Sequence, residues 1–141
     1  MMMIMFHKPV MLKEAIDSLE IKGSGVYVEL TFGGGGHSKE ILQRINDDGR
    51  LIAFDQDESA IKNKIDDSRV MLLKQNIIYL EQNLKYLKIS KVDGILADLG
   101  VSSFQFDSKD RGFSFENDSN LDMRMNQESS IDAIEILNNY S

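Results

Sequence analysis

The chain has 141 residues, of which 42% are hydrophobic and 28% are charged, values that fit one globular domain without global disorder. Its net charge of −7 argues against a stand-alone nucleic-acid clamp, because phosphate contacts need clustered Lys and Arg; contact with RNA would need a local basic patch or a further segment. The absence of cysteine excludes disulfides, zinc–thiolate sites and thiol nucleophiles, and we expect a cytoplasmic protein. The apolar residues 1–6 are too short for a signal peptide or a membrane span.

Short apolar runs alternate with segments of helical periodicity along most of the chain. The predicted elements are, in order, a helix over 11–21, a strand over 26–30, a helix over 38–45, a strand over 51–54, a helix over 58–65, a strand over 70–73, a helix marked by Leu80, Leu84 and Leu87, a strand over 92–99, and a helix from Ser130 capped by Ser129 or Ser130. Strands that alternate with helices predict an α/β fold with a parallel sheet and right-handed crossovers. The strands lack polar alternation, as expected for a sheet that is covered on both faces.

Residues 101–126 are polar and loop-like, and such a long irregular stretch is usually functional or disordered. Residues 111–125 hold two basic side chains, Arg111 and Arg124. We interpret this part either as a substrate-side flap or as a core-packing loop anchored by Phe113 and Phe115.

Four consecutive glycines, residues 33–36, separate the first strand from the helix that follows. Glycines allow a sharp turn and the close approach of a ligand, and a helix start offers free backbone N–H groups. Asp55 ends the second strand, where a carboxylate accepts hydrogen bonds from ribose hydroxyls. The pattern predicts a nucleotide-type cofactor, either a dinucleotide or S-adenosylmethionine; Glu29 would suit an amino group and suits pyrophosphate poorly. His37 is interpreted as a capping or cofactor-shaping residue, and we expect no metal because no partner is spaced to complete a site.

A second candidate cluster follows the fourth strand, in residues 98–103 (DLGVSS). In a doubly wound sheet this strand end faces the same crevice as the glycine loop. Asp98 would there hold a cofactor or orient a substrate amine; the simpler alternative is that it caps a loop.

The combination of these motifs resembles one family, the bacterial 16S ribosomal RNA cytosine-N4 methyltransferases. The matching stretches are residues 7–10 (HKPV), 31–38 (TFGGGGHS), 53–57 (AFDQD), 92–96 (VDGIL), 98–103 (DLGVSS), 111–115 (RGFSF) and 121–125 (LDMRM). The resemblance implies a Rossmann-like class I S-adenosylmethionine methyltransferase fold. It also implies methyl transfer from that cofactor to the exocyclic N4 of a cytidine in 16S rRNA of the small ribosomal subunit.

The resemblance also implies roles for individual residues. Cofactor contacts carried over by position are Gly33, Gly35, Gly36, His37, Asp55, Ile77, Asp98 and Gln105. The sequence departs from the family at Ile77, where Phe is usual, at Glu29, where Asp is usual, and at Phe104, where Pro is usual.

The cytosine amine is a poor nucleophile because its lone pair is delocalised into the ring. An acceptor near the amine would orient it and draw on its proton, and Asp98 is the best candidate, with Ser102 and Ser103 as weaker ones. In-line positioning would supply much of the remaining catalysis, and the cytidine must leave any stack to react.

Members of this family are roughly twice as long as this chain, and the matches stop where a helical insertion begins. We therefore expect a fold truncated after the fourth strand, with residues 1–103 as a partial Rossmann-like core and 104–141 as a substrate-side loop and the start of the insertion. The fourth strand would then be an exposed edge, which predicts self-association through that region. Little or no RNA methylation is expected from such a chain.

Two other functions fit parts of the pattern. A nicotinamide-dependent dehydrogenase half would share the strand, glycine loop and helix, although the glycine spacing departs from the dinucleotide pattern. A non-catalytic cofactor-binding or assembly fragment would retain the fold alone.

Overall fold

The computed structural model describes residues 9–140, and its central feature is a four-stranded parallel sheet. The elements before residue 99 are α1 (Leu12–Ser18), β1 (Val26–Glu29), α2 (Gly36–Arg44), β2 (Arg50–Asp55), α3 (Glu58–Ile61), β3 (Val70–Lys74), a 3₁₀ turn (Ile77–Tyr79), α4 (Leu80–Tyr86) and β4 (Gly94–Leu96). The strand order is β3-β2-β1-β4, and every neighbouring pair is parallel. This arrangement confirms the predicted α/β, Rossmann-like fold class.

The strand order reverses beside β1. The chain runs outward from β1 to β2 and β3, then returns to place β4 on the other side of β1. In open parallel sheets, ligands bind beyond the carboxyl ends of the strands at such a reversal. The carboxyl ends of β1 and β4 are therefore the expected position of a ligand-binding site.

Both faces of the two central strands, β1 and β2, are buried, which explains their unbroken apolar runs. Tyr27 and Leu51 pack on one face with residues of α1 and α2, whereas Val28, Ile52 and Phe54 pack on the other face beside α4. Neighbouring residues of a strand point to opposite faces, so a strand that is buried twice has no polar alternation. The predicted covering of both faces is confirmed for β1 and β2, whereas Met71 in β3 and Ile95 in β4 are exposed on one face.

Several element bounds are shorter than predicted. The first helix ends at Ser18 and not at residue 21, because Glu20 adopts a left-handed conformation (φ 46°). The third helix ends at Ile61 and not at residue 65, although Ile65 still packs against the core. The fourth strand covers three residues, Gly94–Leu96, and not 92–99.

The chain divides into two compact units, Met1–Asp98 and Leu99–Ser141. The second unit holds α5 (Ser103–Asp107) and α6 (Ala133–Asn139). The prediction of an uninterrupted loop over 101–126 was wrong, because α5 lies within it. No helix within residues 9–140 has the length and apolar character needed to cross a bilayer.

The start of the last helix also differs from the prediction. Asp132 is its N-cap, and its carboxylate accepts the backbone N–H of Glu135 at 2.8 Å. Neither Ser129 nor Ser130 caps it, and the Ser129 hydroxyl instead contacts the backbone N–H of Ile131 at 3.4 Å. A carboxylate satisfies the free N–H groups of a helix start at least as well as a serine does.

The two arginines of the predicted flap form contacts inside the second unit. The Arg111 guanidinium donates to the carbonyl oxygens of Arg124 and Met125 at 2.9 and 3.1 Å, and it lies over the Phe113 ring at 5.8 Å. Arg124 forms a two-point ion pair with Asp122. Phe115 is fully exposed, so the prediction that it anchors the loop was wrong. The role of this segment as a flap stays a prediction.

Candidate cofactor site

The glycine loop between β1 and α2 is a tight turn that other residues would not fit. Gly35 has a left-handed φ of 73°, and its N–H donates to the carbonyl of Phe32 at 2.8 Å. A Cβ atom on Gly35 would lie 2.9 Å from the Phe32 ring, and one on Gly36 would lie 2.0 Å from Cγ of Pro9. The loop therefore presents bare backbone at the start of α2, as a cofactor cradle requires.

Asp55 lies directly against this loop. Its Oδ2 atom accepts the backbone N–H of Gly33 at 2.8 Å, and Oδ1 accepts that of Asp57 at 2.9 Å. Burial raises the pKa of the Asp55 carboxyl above its usual range. A carboxylate has about four acceptor positions, so these backbone bonds do not exhaust its capacity to accept from the hydroxyls of a ligand.

Glu29 ends β1, and we had expected it to suit the amino group of a ligand. Its side chain is fully buried, and the Ser38 hydroxyl donates to Oε2. Within residues 9–140 the other oxygen, Oε1, has no hydrogen-bond partner. Burial, and secondarily the carboxylates of Asp55 and Asp98, raise the pKa of Glu29 to about 8. The group faces the start of α2 and has no exposed surface for an amino group.

His37 is the second residue of α2 and is buried. Its Nε2 atom lies 3.3 Å from the carbonyl oxygen of Val10, and Nδ1 lies 3.8 Å from Oε1 of Glu29. The N-cap of α2 is Gly35, so His37 shapes the loop from within the helix and does not cap it. Within the described residues, no three His, Cys, Asp or Glu side chains form a group that could hold a metal ion.

Asp98 follows β4 at the point where the strand order reverses. Its backbone N–H donates to the Thr31 hydroxyl at 2.8 Å, which ties it to the segment that leaves β1. The Asp98 side chain is exposed, and its charge acts on Glu29. An exposed carboxylate at this position is available to a ligand or to a substrate amine.

Ile77 begins the 3₁₀ turn after β3 and is 40% exposed. The preceding Asn76 amide donates to Oε1 of Gln56 at 3.0 Å, so this turn lies beside the end of β2. The first unit thus brings together the ends of β1, β2 and β4 and the turn after β3.

The remaining predicted residues belong to the second unit. Ser102 is the N-cap of α5, and its hydroxyl accepts the N–H of Gln105 at 3.2 Å. In return, Oε1 of Gln105 accepts the N–H of Ser102 at 2.9 Å. Ser103 is the first helical residue. The Ser102 hydroxyl and the Gln105 side chain are therefore both used in a capping box, whatever else they contact.

Two contributors to the loop were missed by sequence reasoning. The Asn63 amide donates to the carbonyl of Gly33 at 3.0 Å, and Thr31 holds the backbone of Asp98. No sequence pattern marks Asn63, because the contact joins residues thirty positions apart. Thr31 was within the matched stretch, and its position directly after a strand was the available signal.

Comparisons with known proteins agree on one family. Residues 4–141 match a family described as the MraW methylase family. Three relatives are named ribosomal RNA small subunit methyltransferase H. The one from Christiangramia forsetii is 53% identical over 140 residues, covering 99% of this chain and 46% of the relative. Those from Bacteroides fragilis and Flavobacterium johnsoniae are 52% and 51% identical, each covering 96% of this chain and 44% and 45% of the relative. The chain spans about half the length of the curated relatives it matches.

Proposed function

Because the chain belongs to the MraW methylase family, we propose that it serves S-adenosylmethionine-dependent methyl transfer to the exocyclic N4 of a cytidine in 16S rRNA of the small ribosomal subunit. Methylases of this family use S-adenosylmethionine as methyl donor. The observation that carries the proposal is the contact of Asp55 with the glycine loop at the carboxyl ends of β1 and β2. We propose a cytoplasmic location as well, because the ribosomal subunits that this function requires are found there.

The residues present fit the cofactor. The loop is bare backbone where a Cβ atom would clash, and Asp55 and Asp98 place carboxylates at the strand ends. We assign cofactor contacts to Gly33, Gly35, Gly36, His37, Asp55, Ile77, Asp98 and Gln105. When bound, the cofactor supplies an electrophilic methyl group. Residues 1–103 would form the cofactor-binding core, and 104–141 a substrate-side segment.

Asp98 is the candidate acceptor for the cytosine amine. Its exposed carboxylate would orient the amine and accept a proton from it as the amine attacks the methyl group. Ser102 and Ser103 are weaker candidates, since the Ser102 hydroxyl already serves as a helix cap.

Replacement of Asp98 is expected to slow methyl transfer. Asp98→Asn should lower the rate by about 10²- to 10⁴-fold, the usual contribution of a positioned acid or base. The measurement is transfer of labelled methyl to small ribosomal subunits by the protein that carries this chain. Asp48→Asn, in an exposed turn, is the matched control. A rate within threefold of the unaltered protein would remove Asp98 from the mechanism.

Calorimetry with S-adenosylmethionine, its demethylated product and NAD tests the proposed function. We expect the first two ligands to bind and NAD not to bind. Binding of NAD alone would support the dehydrogenase alternative, and absence of binding by all three would support a non-catalytic assembly fragment.

We also propose that the chain self-associates through β4. This strand is last in the sheet order, and Ile95 within it is about half exposed. An edge strand offers unpaired backbone groups to another chain. Light scattering should therefore give a mass above that of a monomer. Ile95→Lys should reduce this mass. Ile78→Lys, at an exposed position after β3, is the control and should leave the mass unchanged. A stable monomer at high concentration contradicts this prediction.

A further inference from the structure

Glu29 is the most deeply buried acid of the first unit, and the proposed methyl transfer does not use it. It ends β1, its side chain has no exposed surface, and the residues that follow it enter the glycine loop. A buried ionised carboxylate is costly unless it is paired, so its surroundings decide its charge.

The surroundings of Glu29 disfavour a negative charge. The acids Asp55 at the end of β2 and Asp98 after β4 both act on it unfavourably. From α2, the Ser38 hydroxyl donates a hydrogen bond to Oε2. The hydroxyl is uncharged, so it brings no positive charge to offset that of a carboxylate. Among residues 9–140, the other titratable group close to it is His37, whose Nδ1 atom lies 3.8 Å from Oε1.

The unpartnered oxygen and the histidine ring complement one another. Oε1 has no hydrogen-bond partner within residues 9–140, and Nδ1 of His37 lies about 1 Å beyond hydrogen-bond distance from it. The opposite ring nitrogen, Nε2, is 3.3 Å from the carbonyl oxygen of Val10, which can only accept a proton. A neutral ring that donates to this carbonyl carries its proton on Nε2 and presents Nδ1 as an acceptor.

We propose that Glu29 is a positioning residue of the glycine loop that carries a proton on Oε1, directed at Nδ1 of His37. The neutral carboxyl accepts from Ser38 and donates towards His37, and so it holds the first turn of α2 against β1. Burial raises the pKa of Glu29 to about 8, which keeps this proton in place at neutral pH. Above that pH the proton leaves to solvent and an unpaired carboxylate remains inside the loop.

Glu29→Gln is the decisive variant, because glutamine has the same shape and permanently mimics the neutral carboxyl. Its carbonyl can accept from Ser38 and its amide can donate to His37. The proposal rests on the proposed cofactor site for the binding measurement alone. We expect affinity for S-adenosylmethionine within about threefold of the unaltered protein from pH 6 to 7.5. Above pH 8 the unaltered protein should bind more weakly than the variant, and the ligand's own titration cancels in the ratio.

The pH dependence of stability tests the same point without any ligand. The folded-state pKa of Glu29 lies above the usual value of 4.5, so its contribution is complete below 4.5 and is lost as pH rises towards 8. The unfolding equilibrium constant of the unaltered protein, relative to Glu29→Gln, should rise by up to about tenfold per pH unit in this window. Glu14→Gln, an exposed position on α1, is the matched control and should leave the profile unchanged.

Three results would overturn the proposal. They are a failure of Glu29→Gln to fold, a loss of cofactor affinity of more than tenfold at pH 7, and a Glu29 carboxyl-carbon NMR shift that titrates below pH 6. The first two would mean that the loop needs the negative charge, and the third would show that Glu29 is ionised at neutral pH. If no cofactor binds to either protein, the proposed function fails, but the stability profile and the NMR titration still decide the state of Glu29.

Discussion

Asp55→Ala is expected to weaken S-adenosylmethionine binding by about 100-fold or more. The carboxylate holds the Gly33 N–H at 2.8 Å and is assigned to the ligand hydroxyls, so its removal affects both the loop and the ligand. Hydrogen bonds to charged groups contribute about 1.5–3 kcal/mol each, and two such bonds correspond to the expected loss. Calorimetric titration at neutral pH measures the change in Kd.

The matched control for this variant is Asp93→Ala. The Asp93 carboxylate accepts the backbone N–H of Val26 at 2.9 Å, which is the same kind of bond at the opposite end of β1. Both variants should lose some stability, but Asp93→Ala should retain cofactor affinity. If the two variants lose affinity equally, the effect comes from stability and not from the site, and the assignment of Asp55 to the cofactor fails.

Gly35→Ala is expected to lower the free energy of unfolding by about 2–5 kcal/mol and to abolish cofactor binding. A left-handed backbone costs a residue with a Cβ atom roughly 1–2 kcal/mol. The new methyl group would also lie 2.9 Å from the Phe32 ring, which is buried and has little room to move. Overpacking of this kind costs typically 1–3 kcal/mol.

Gly33→Ala separates the two causes. Gly33 is also left-handed, with φ 52°, but a Cβ atom there would meet nothing within 4 Å. It should therefore lose about 1–2 kcal/mol from backbone strain alone. Urea unfolding of both variants, fitted with a common m value, gives the difference between their free energies of unfolding. Equal losses for the two would mean that the Phe32 ring gives way and that steric exclusion is not what requires Gly35.

The order of the elements could be predicted from the sequence, but several of their ends could not. Strands that are buried on both faces need unbroken apolar runs, so β1 and β2 were readable directly. The end of β4 depends on its pairing with β1, and the paired residues Tyr27 and Gly94 are 67 positions apart in the sequence. The start of α5 was readable in principle, since Ser102 and Gln105 have the spacing of a capping box, but the surrounding polar stretch favoured a loop.

For the site, the sequence by itself determined the glycine loop, Asp55 and Asp98 as candidates, because strand ends in a parallel sheet converge on one edge. The structure places the Asp55 carboxylate in contact with Gly33 of the loop, while the cofactor roles stay predictions. Only the tertiary structure decided the surroundings of Glu29 and the contact of Asn63 with the loop. The physical reason is that burial and charge depend on what packs around a side chain. Local sequence placed Glu29 beside the crevice, but the packing of α2 against β1 turned its carboxyl inward and favoured its neutral form.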